Sequence, residues 1–436
     1  MSYEIINSIP QFNFQINRIL TYGNWACCRE EVISHVAQVK TFEEWHTAWQ
    51  KIAAKSEQER HYLHAAYYYR MAEFFLKSDM PEKNIAYKKC VENFYKAFDF
   101  ELHLKYEKHR VPFMGKTLHC LKFSPPNAIG TVLVCGGYDS FIEEFVLQVS
   151  EFVKQRYEII LFEGPGQGKS LQENLYFSYD FEKAASAVLD YFGIRRCAMV
   201  GISWGGYFAL RSAAYDKRIT AAAAYDVMDN GLEVMTNIFP EPIRSAIRLS
   251  HKYHWQGVLN KLVSIIRKKS ILADWAISQG LHITGTKTPY EFFQSISFHN
   301  LALTTELLTQ DILLLAGAED HYIPRNQFYR LKSSIHNAKS LTCRLFTKAE
   351  GGEQHCQIGN HQFSYSLICR WFRAAVLPLD ESLCAALLYR EDMKKCVLCG
   401  GRYIPKSNRA KYCPDCAEQE RRRKTRERVR RHRAGM

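Results

Sequence analysis

The stretch 198–206 reads Ala-Met-Val-Gly-Ile-Ser-Trp-Gly-Gly and constrains this 436-residue chain more than any other. A short apolar run stops at Gly201-Ile202-Ser203-Trp204-Gly205, and a helical pattern begins at Tyr207. Small residues on both sides of one serine let the backbone turn sharply from strand to helix and lift the hydroxyl into the open. Such a turn needs a strand before it and a helix after it, so it commits the surrounding chain to an α/β architecture. Ser203 becomes a candidate nucleophile.

Other short apolar runs lie at 131–135, 158–162, 219–225, 312–316 and 341–346, separated by segments of helix length. Continuous rather than alternating apolar character marks strands covered on both faces, which predicts a mostly parallel sheet with helices on either side. Ligands of such sheets bind beyond the carboxyl ends of the strands, and the chemistry-bearing residues fall there. The first hundred residues read as helices instead. Phe42 to Ala54 carries Trp45, Trp49 and Ile52 at helical spacing, 57–77 carries Leu63, Ala66, Met71, Phe74 and Phe75, and a third helix follows Pro81 over 82–98. The run Tyr67-Tyr68-Tyr69 is read as packing. The segment 227–309, about eighty residues of helical character, is too long for a simple connection and predicts a cap over the site, with the N-terminal helices as a second wall. The expected domains are therefore an N-terminal helical cap at 1–110, a catalytic domain at 111–380 with the insertion at 227–309, and a small C-terminal unit at 391–436.

A serine hydroxyl needs a base to take its proton, and the base needs a carboxylate to hold its tautomer and offset its charge. After the run 312–316 comes Gly317-Ala318-Glu319-Asp320-His321, and after 341–346 comes Glu350-Gly351-Gly352-Glu353-Gln354-His355-Cys356. Ser203, Asp320 and His355 stand in the chain order that this sheet architecture uses. Glu319 is the competing acid and His321 the competing base, but His321 adjoins the acid on the wrong loop. The oxyanion formed on attack requires two main-chain N–H donors, expected from Trp204 and from Tyr138, or next Gly137, in Gly136-Gly137-Tyr138-Asp139-Ser140. Asp139, Asp226 and Glu233 are candidate substrate contacts. A second glycine loop, 163–170, ends in Gly168-Lys169-Ser170, yet Glu163 stands where a phosphate loop would have its first glycine, so it reads as a structural turn.

These motifs together make 111–376 resemble the α/β-hydrolase superfamily. Within it, the group containing 2,6-dihydroxypseudooxynicotine hydrolase, the fungal polyketide chain-shortening hydrolases and the FrsA-like esterases is the most similar, and 65–98 resembles that group's helical cap. The resemblance implies a Ser203, Asp320, His355 triad, a small carbonyl substrate, and cleavage of an ester or of a carbon–carbon bond beside a ketone, with no catalytic cofactor. Amide hydrolysis and acyl transfer use the same triad. Glu163 departs from the aspartate of many superfamily members, and the length of the insertion means that substrate choice does not carry over.

The C-terminus is of another kind. Of fourteen cysteines, ten are scattered through mostly apolar contexts, while Cys396, Cys399, Cys413 and Cys416 form two Cys-x-x-Cys knuckles thirteen residues apart. Four thiolates at that spacing predict a ribbon around one structural Zn²⁺. The charge is equally uneven: residues 391–436 hold 15 Lys+Arg against 6 Asp+Glu, leaving only +4 of the net +13 for the rest. The basic helix expected at 417–433 suits phosphates or an acidic partner, so a nucleic-acid-binding or partner-binding protein that keeps the hydrolase body as scaffold is the competing reading. The amino-terminal stretch shows no signal sequence and no apolar run long enough to span a bilayer, which predicts a cytoplasmic protein with no membrane partner and leaves its oligomeric state open.

Overall fold

The computed structural model describes residues 3–376, 394–398, 402–403, 410–412 and 414–433. They divide into two units, Met1–Val376 and Leu377–Met436.

The first unit opens with five helices, α1 (Pro10–Thr21), α2 (Arg29–Val36), α3 (Phe42–Gln58), α4 (Tyr62–Phe74) and α5 (Pro81–Phe100). α3 starts on a capping box, in which Thr41 Oγ1 accepts from the Glu44 amide while the Glu44 carboxylate accepts from the Thr41 amide. Its apolar stripe buries Trp45, Trp49 and Ile52. The expected second helix begins later than the pattern suggested. α3 runs on to Gln58, and the chain reverses through Arg60 at φ 63° before α4 starts. α4 is buried almost all round, so Tyr67, Tyr68 and Tyr69 are indeed packing residues.

The sheet follows. It is made of β1 (Glu107–Phe113), β2 (Lys116–Phe123), β3 (Gly130–Cys135), β4 (Tyr157–Phe162), β5 (Cys197–Ile202), β6 (Ile219–Tyr225), β7 (Asp311–Gly317) and β8 (Ser340–Phe346). Its order is β1-β2-β4-β3-β5-β6-β7-β8. β1 and β2 are antiparallel to their neighbours, and every other pairing is parallel. Between the strands run α6 (Val146–Lys154), the short α7 (Gly168–Gln172), α8 (Glu182–Tyr191) and α9 (Gly205–Tyr215). The insertion is wholly helical, with α10 (Gly231–Thr236), α11 (Glu241–Lys252), α12 (Gln256–Lys269), α13 (Ile271–Thr284) and α14 (Pro289–Ser297). α15 (Arg325–Ser334) and α16 (His361–Val376) complete the unit.

All six apolar runs are strands, displaced by at most one residue at their ends. Both faces of the sheet are covered, so the core has two halves. One packs α6, α16 and the N-terminal helices onto the side chains of Val132, Val134 and Val200, and the other packs α8, α9 and the insertion onto Leu133, Met199 and Leu314.

Of the second unit, an antiparallel pair of two-residue strands joins Lys394–Lys395 to Arg402–Tyr403, and a helix runs Pro414–Arg433. Cys396 and Cys416 are buried in one small cluster with Ala410 and Tyr412 against them. Cys399 and Cys413 lie outside the described residues. A fold that brings the first knuckle against the second through these two thiols fits a shared tetrahedral ion. Among the described residues no helix is long and apolar enough to cross a membrane.

Candidate active site

β5 ends at Ile202 and α9 begins at Gly205, so the turn between them is only two residues long. Ser203 sits in it at φ 61°, a conformation that costs an ordinary residue energy and is held by its surroundings. Its amide donates to Tyr225 O at 2.6 Å. The flanking glycines are required by space: a Cβ on Gly201 would lie 1.7 Å from Gly205 O. The hydroxyl projects beyond the carboxyl end of the sheet into a cavity of about 580 Å³, within the usual range for small-molecule sites.

The loops after β7 and β8 deliver the other two residues. His355 Nε2 lies 2.8 Å from Ser203 Oγ, and its Nδ1 lies 2.7 Å from Asp320 Oδ2. The remaining Asp320 oxygen accepts from the Tyr322 and Ile323 amides at 2.8 and 2.9 Å. With Nδ1–H donated to the carboxylate, Nε2 is the acceptor for the serine proton. Burial alone raises an aspartic acid, but the His355 charge and hydrogen bond outweigh it and bring Asp320 down to about 2. Burial would likewise depress His355, yet the Asp320 carboxylate holds it well above the ordinary imidazole value.

The loop after β3 lies against the elbow. A Cβ on Gly137 would meet the Trp204 nitrogen at 2.5 Å, so only glycine allows this approach. The carbonyls of Gly136 and Gly137 are held by Gln167 Nε2 at 2.7 and 2.9 Å, and Ser140 Oγ donates to Gly137 O. Arg70, buried in α4, donates to Asp139 O at 2.5 Å. The main-chain N–H groups of Tyr138 and Trp204 donate to no acceptor among the described residues.

Of the three acids read as substrate contacts, only Asp139 lines the cavity. Burial, partly offset by Arg70, raises its carboxyl to about 6, and Gln279 of α13 donates to it at 2.7 Å. Asp226 is not a cavity residue. It is buried behind His355, with Oδ2 accepting the Cys356 amide at 3.0 Å. Glu233 points elsewhere, pairing with Arg330 at 2.8 Å. Glu319 carries an exposed pair with Lys348, and the His321 ring packs on Phe14 and Tyr322 while burial lowers it to about 4. Neither replaces its neighbour. In the 163–170 loop the Glu163 carboxylate accepts the Lys169 amide at 2.8 Å, the N–H that a phosphate would need.

The cavity walls come from the sheet loops, from α1 (Phe14, Arg18) and from α13 (Trp275, Gln279). The contributions of Arg18, Arg70 and Gln279 could not be read from the chain, because each comes from a helix whose pattern speaks only of packing. Ligand atoms of Asp226, His355 and Cys356 lie within 4.8 Å of one another, but both imidazole nitrogens are already engaged by Ser203 and Asp320, which suits proton transfer better than a metal ion.

Residues 134–350 match the family described as alpha/beta hydrolase fold, and residues 351–390 match one described as cysteine-rich VLP. The α/β hydrolase psoB of Aspergillus fumigatus is 25% identical over 83% of this chain and 92% of its own length. The hydrolase acrC of Aspergillus aculeatus is 26% identical over 68% of this chain and 77% of its own. Among solved structures, 2,6-dihydroxy-pseudo-oxynicotine hydrolase superposes with a TM-score of 0.62 at 17% identity, covering 83% of this chain and 95% of that one. Wild-type AbyA5 gives 0.63 at 16% identity over 87% and 98%. At these identities the structural likeness speaks for the fold.

Proposed function

The chain belongs to the α/β-hydrolase superfamily, and we propose that within it the protein is a serine hydrolase acting on a small ketone or ester. The observation that carries this reading is the unbroken line of hydrogen bonds from Ser203 Oγ through His355 to Asp320 at the wall of the cavity. In this mechanism Ser203 Oγ bonds to the substrate carbonyl carbon while its proton passes to His355 Nε2. The carbonyl oxygen takes the electron pair and is met by the Tyr138 and Trp204 N–H groups, which have no other acceptor among the described residues. The tetrahedral species collapses by expelling either an alkoxide or a carbanion, which His355 protonates. Water then attacks the acyl-serine by the same route in reverse.

A carbanion is a viable leaving group only when a second carbonyl stabilises it, so the carbon–carbon reading requires a β-diketone or an equivalent. The apolar walls, including Phe14, Phe74, Phe75 and Trp275, favour a substrate with an aromatic or alkyl body, and the curated relatives named as hydrolases are consistent with bond cleavage by water. A fluorophosphonate should label the native protein once, and Ser203→Ala should not be labelled. Absence of an adduct in the native protein, or its persistence in the variant, overturns the serine reading. Offering aryl esters and β-diketones side by side, with product masses, decides which bond is cut.

A further inference from the structure

His355 faces two carboxyl groups. Asp320 Oδ2 lies 2.7 Å from Nδ1, and Asp226 Oδ2 lies 3.6 Å from the same nitrogen. Asp226 follows β6 directly, is about 1% exposed, and is fixed by the Cys356 amide at 3.0 Å. Both carboxyls thus approach one nitrogen from buried positions, which sets them side by side. Two buried carboxylates at one site cannot both ionise cheaply, so one keeps its proton and donates it to the other. Each carboxyl accepts two main-chain N–H groups, but Asp320 also takes the close His355 Nδ1 contact, at 2.7 against 3.6 Å, and is therefore the natural anion.

We propose that Asp226 is a second positioning acid for His355: it holds a proton that it donates to Asp320 in the resting protein, and it takes the Nδ1 hydrogen bond itself when Asp320 cannot. The titratable groups facing it are Asp320 after β7, His355 and Cys356 after β8, and Tyr225 on its own strand. Of these only His355 carries positive charge, and burial together with the Asp320 charge pushes Asp226 well above the ordinary carboxylate range. Cys356 is pushed up by burial and Tyr225 is pushed well up by the same cause, so both stay neutral. The site then carries one negative charge at rest and none when His355 is protonated, as the reaction requires. Asp226 also joins the elbow to the histidine loop, since a Cβ on Gly206 would strike its carbonyl at 1.9 Å.

This inference rests on the serine hydrolase reading, and the test separates the two. With an aryl ester that the native protein cleaves, Asp320→Asn should lower kcat/KM by only about 10- to 100-fold, because Asp226 ionises and accepts from Nδ1. The Asp226→Asn, Asp320→Asn double variant should lose about 10⁴-fold, the usual cost of leaving a triad histidine without its acid. An Asp320→Asn variant already as slow as the double variant overturns the proposal. Should Asp320→Asn fail to fold, the pH profile of otherwise intact protein decides. Asp226→Leu cannot donate to Asp320, so Asp320 becomes more basic, His355 stays protonated longer and the acid limb of kcat/KM moves to higher pH. Asp226→Asn still donates an N–H and should keep the limb closer to its native position. Limbs that coincide in the two variants, or that both move to lower pH, overturn the proposal, the second because Asp226 would then have been an anion. Activity retained by Ser203→Ala would instead remove the serine reading.

Discussion

The His355 ring is buried, and both nitrogens are engaged, one by Ser203 Oγ and one by Asp320. A base poised in this way works only when Nε2 is free of its proton. Because the Asp320 carboxylate holds His355 well above the ordinary imidazole value, the protonated form persists to higher pH than in a free histidine. kcat/KM is therefore expected to rise with pH along a limb centred above about 6.5 and to fall as pH drops through it. A limb at or below the ordinary value would contradict the assignment. His355→Ala should cost about 10⁴-fold or more in kcat, read on any ester that the native protein cleaves. Gly137→Ala tests the proposed oxyanion loop, because the new Cβ would need space now filled by the Trp204 nitrogen at 2.5 Å. Displacing those donors is expected to lower kcat by roughly 10²- to 10³-fold with KM changed much less, while a melting curve checks that the fold survives. The meeting of Ser203, Asp320 and His355 was legible in the sequence because each follows an apolar run in a segment that contains glycine. Asp226 was legible as a strand-end acid, but its role was not. Only the three-dimensional meeting of the loops after β6, β7 and β8 turns it away from the cavity and toward the imidazole.

At the scale of elements, α4 shows how a helix with no catalytic residue can hold the site. Arg70 is about 1% exposed and pairs with Glu73 at 2.6 Å and Glu144 at 3.4 Å, and it lies 4.1 Å over the Phe141 ring. The same guanidinium holds Asp139 O in the loop after β3. Replacing it with methionine takes one of two cations from each of two buried carboxylates, leaving Glu73 with Lys83 and Glu144 with Arg18, so the loss is expected at about 1–3 kcal/mol, below that of a buried pair broken outright. Arg70→Met is thus expected to be less stable by that order in denaturant titration and slower in kcat as well, through the freed loop. Arg70→Lys keeps the charge but cannot form the fork, and is expected to fall between the two. A variant with native stability and native kcat would show that α4 does not brace the loop. Whereas β8, at the far edge, carries Thr342 and Arg344 within its run, β5 and β7 were legible because no polar residue interrupts their apolar runs. β1 and β2 were not: β1 is an edge strand whose residues Glu107, Lys108 and Arg110 are exposed, so its sequence looks like loop. The break between α3 and α4 was misplaced rather than missed: the sequence set it at 54–57, whereas α3 runs on to Gln58 and the chain turns at Arg60.

For the whole molecule, charge and structure divide along the same line. The first unit ends at Val376 with its sheet covered on both faces, and among the described residues its active-site cavity is lined by residues between 3 and 365. The second carries most of the net positive charge. In its helix Pro414–Arg433, Glu418 pairs with Arg421 and Arg422, and Glu420 with Arg423 and Lys424. Exposed pairs of this kind add little stability, so the helix draws its order from the cluster around Cys396 and Cys416. If those thiols share an ion with Cys399 and Cys413, metal binding supplies the folding energy of the ribbon, as in other small zinc modules. Removing 391–436 is therefore expected to abolish the bound zinc, about one ion per chain by elemental analysis, and to leave ester cleavage within about twofold, because each unit keeps its own core. Chelation of the full-length protein should do the same without touching fluorophosphonate labelling of Ser203. Loss of labelling on truncation, or zinc retained by the truncated chain, would show that the ribbon and the hydrolase body depend on one another.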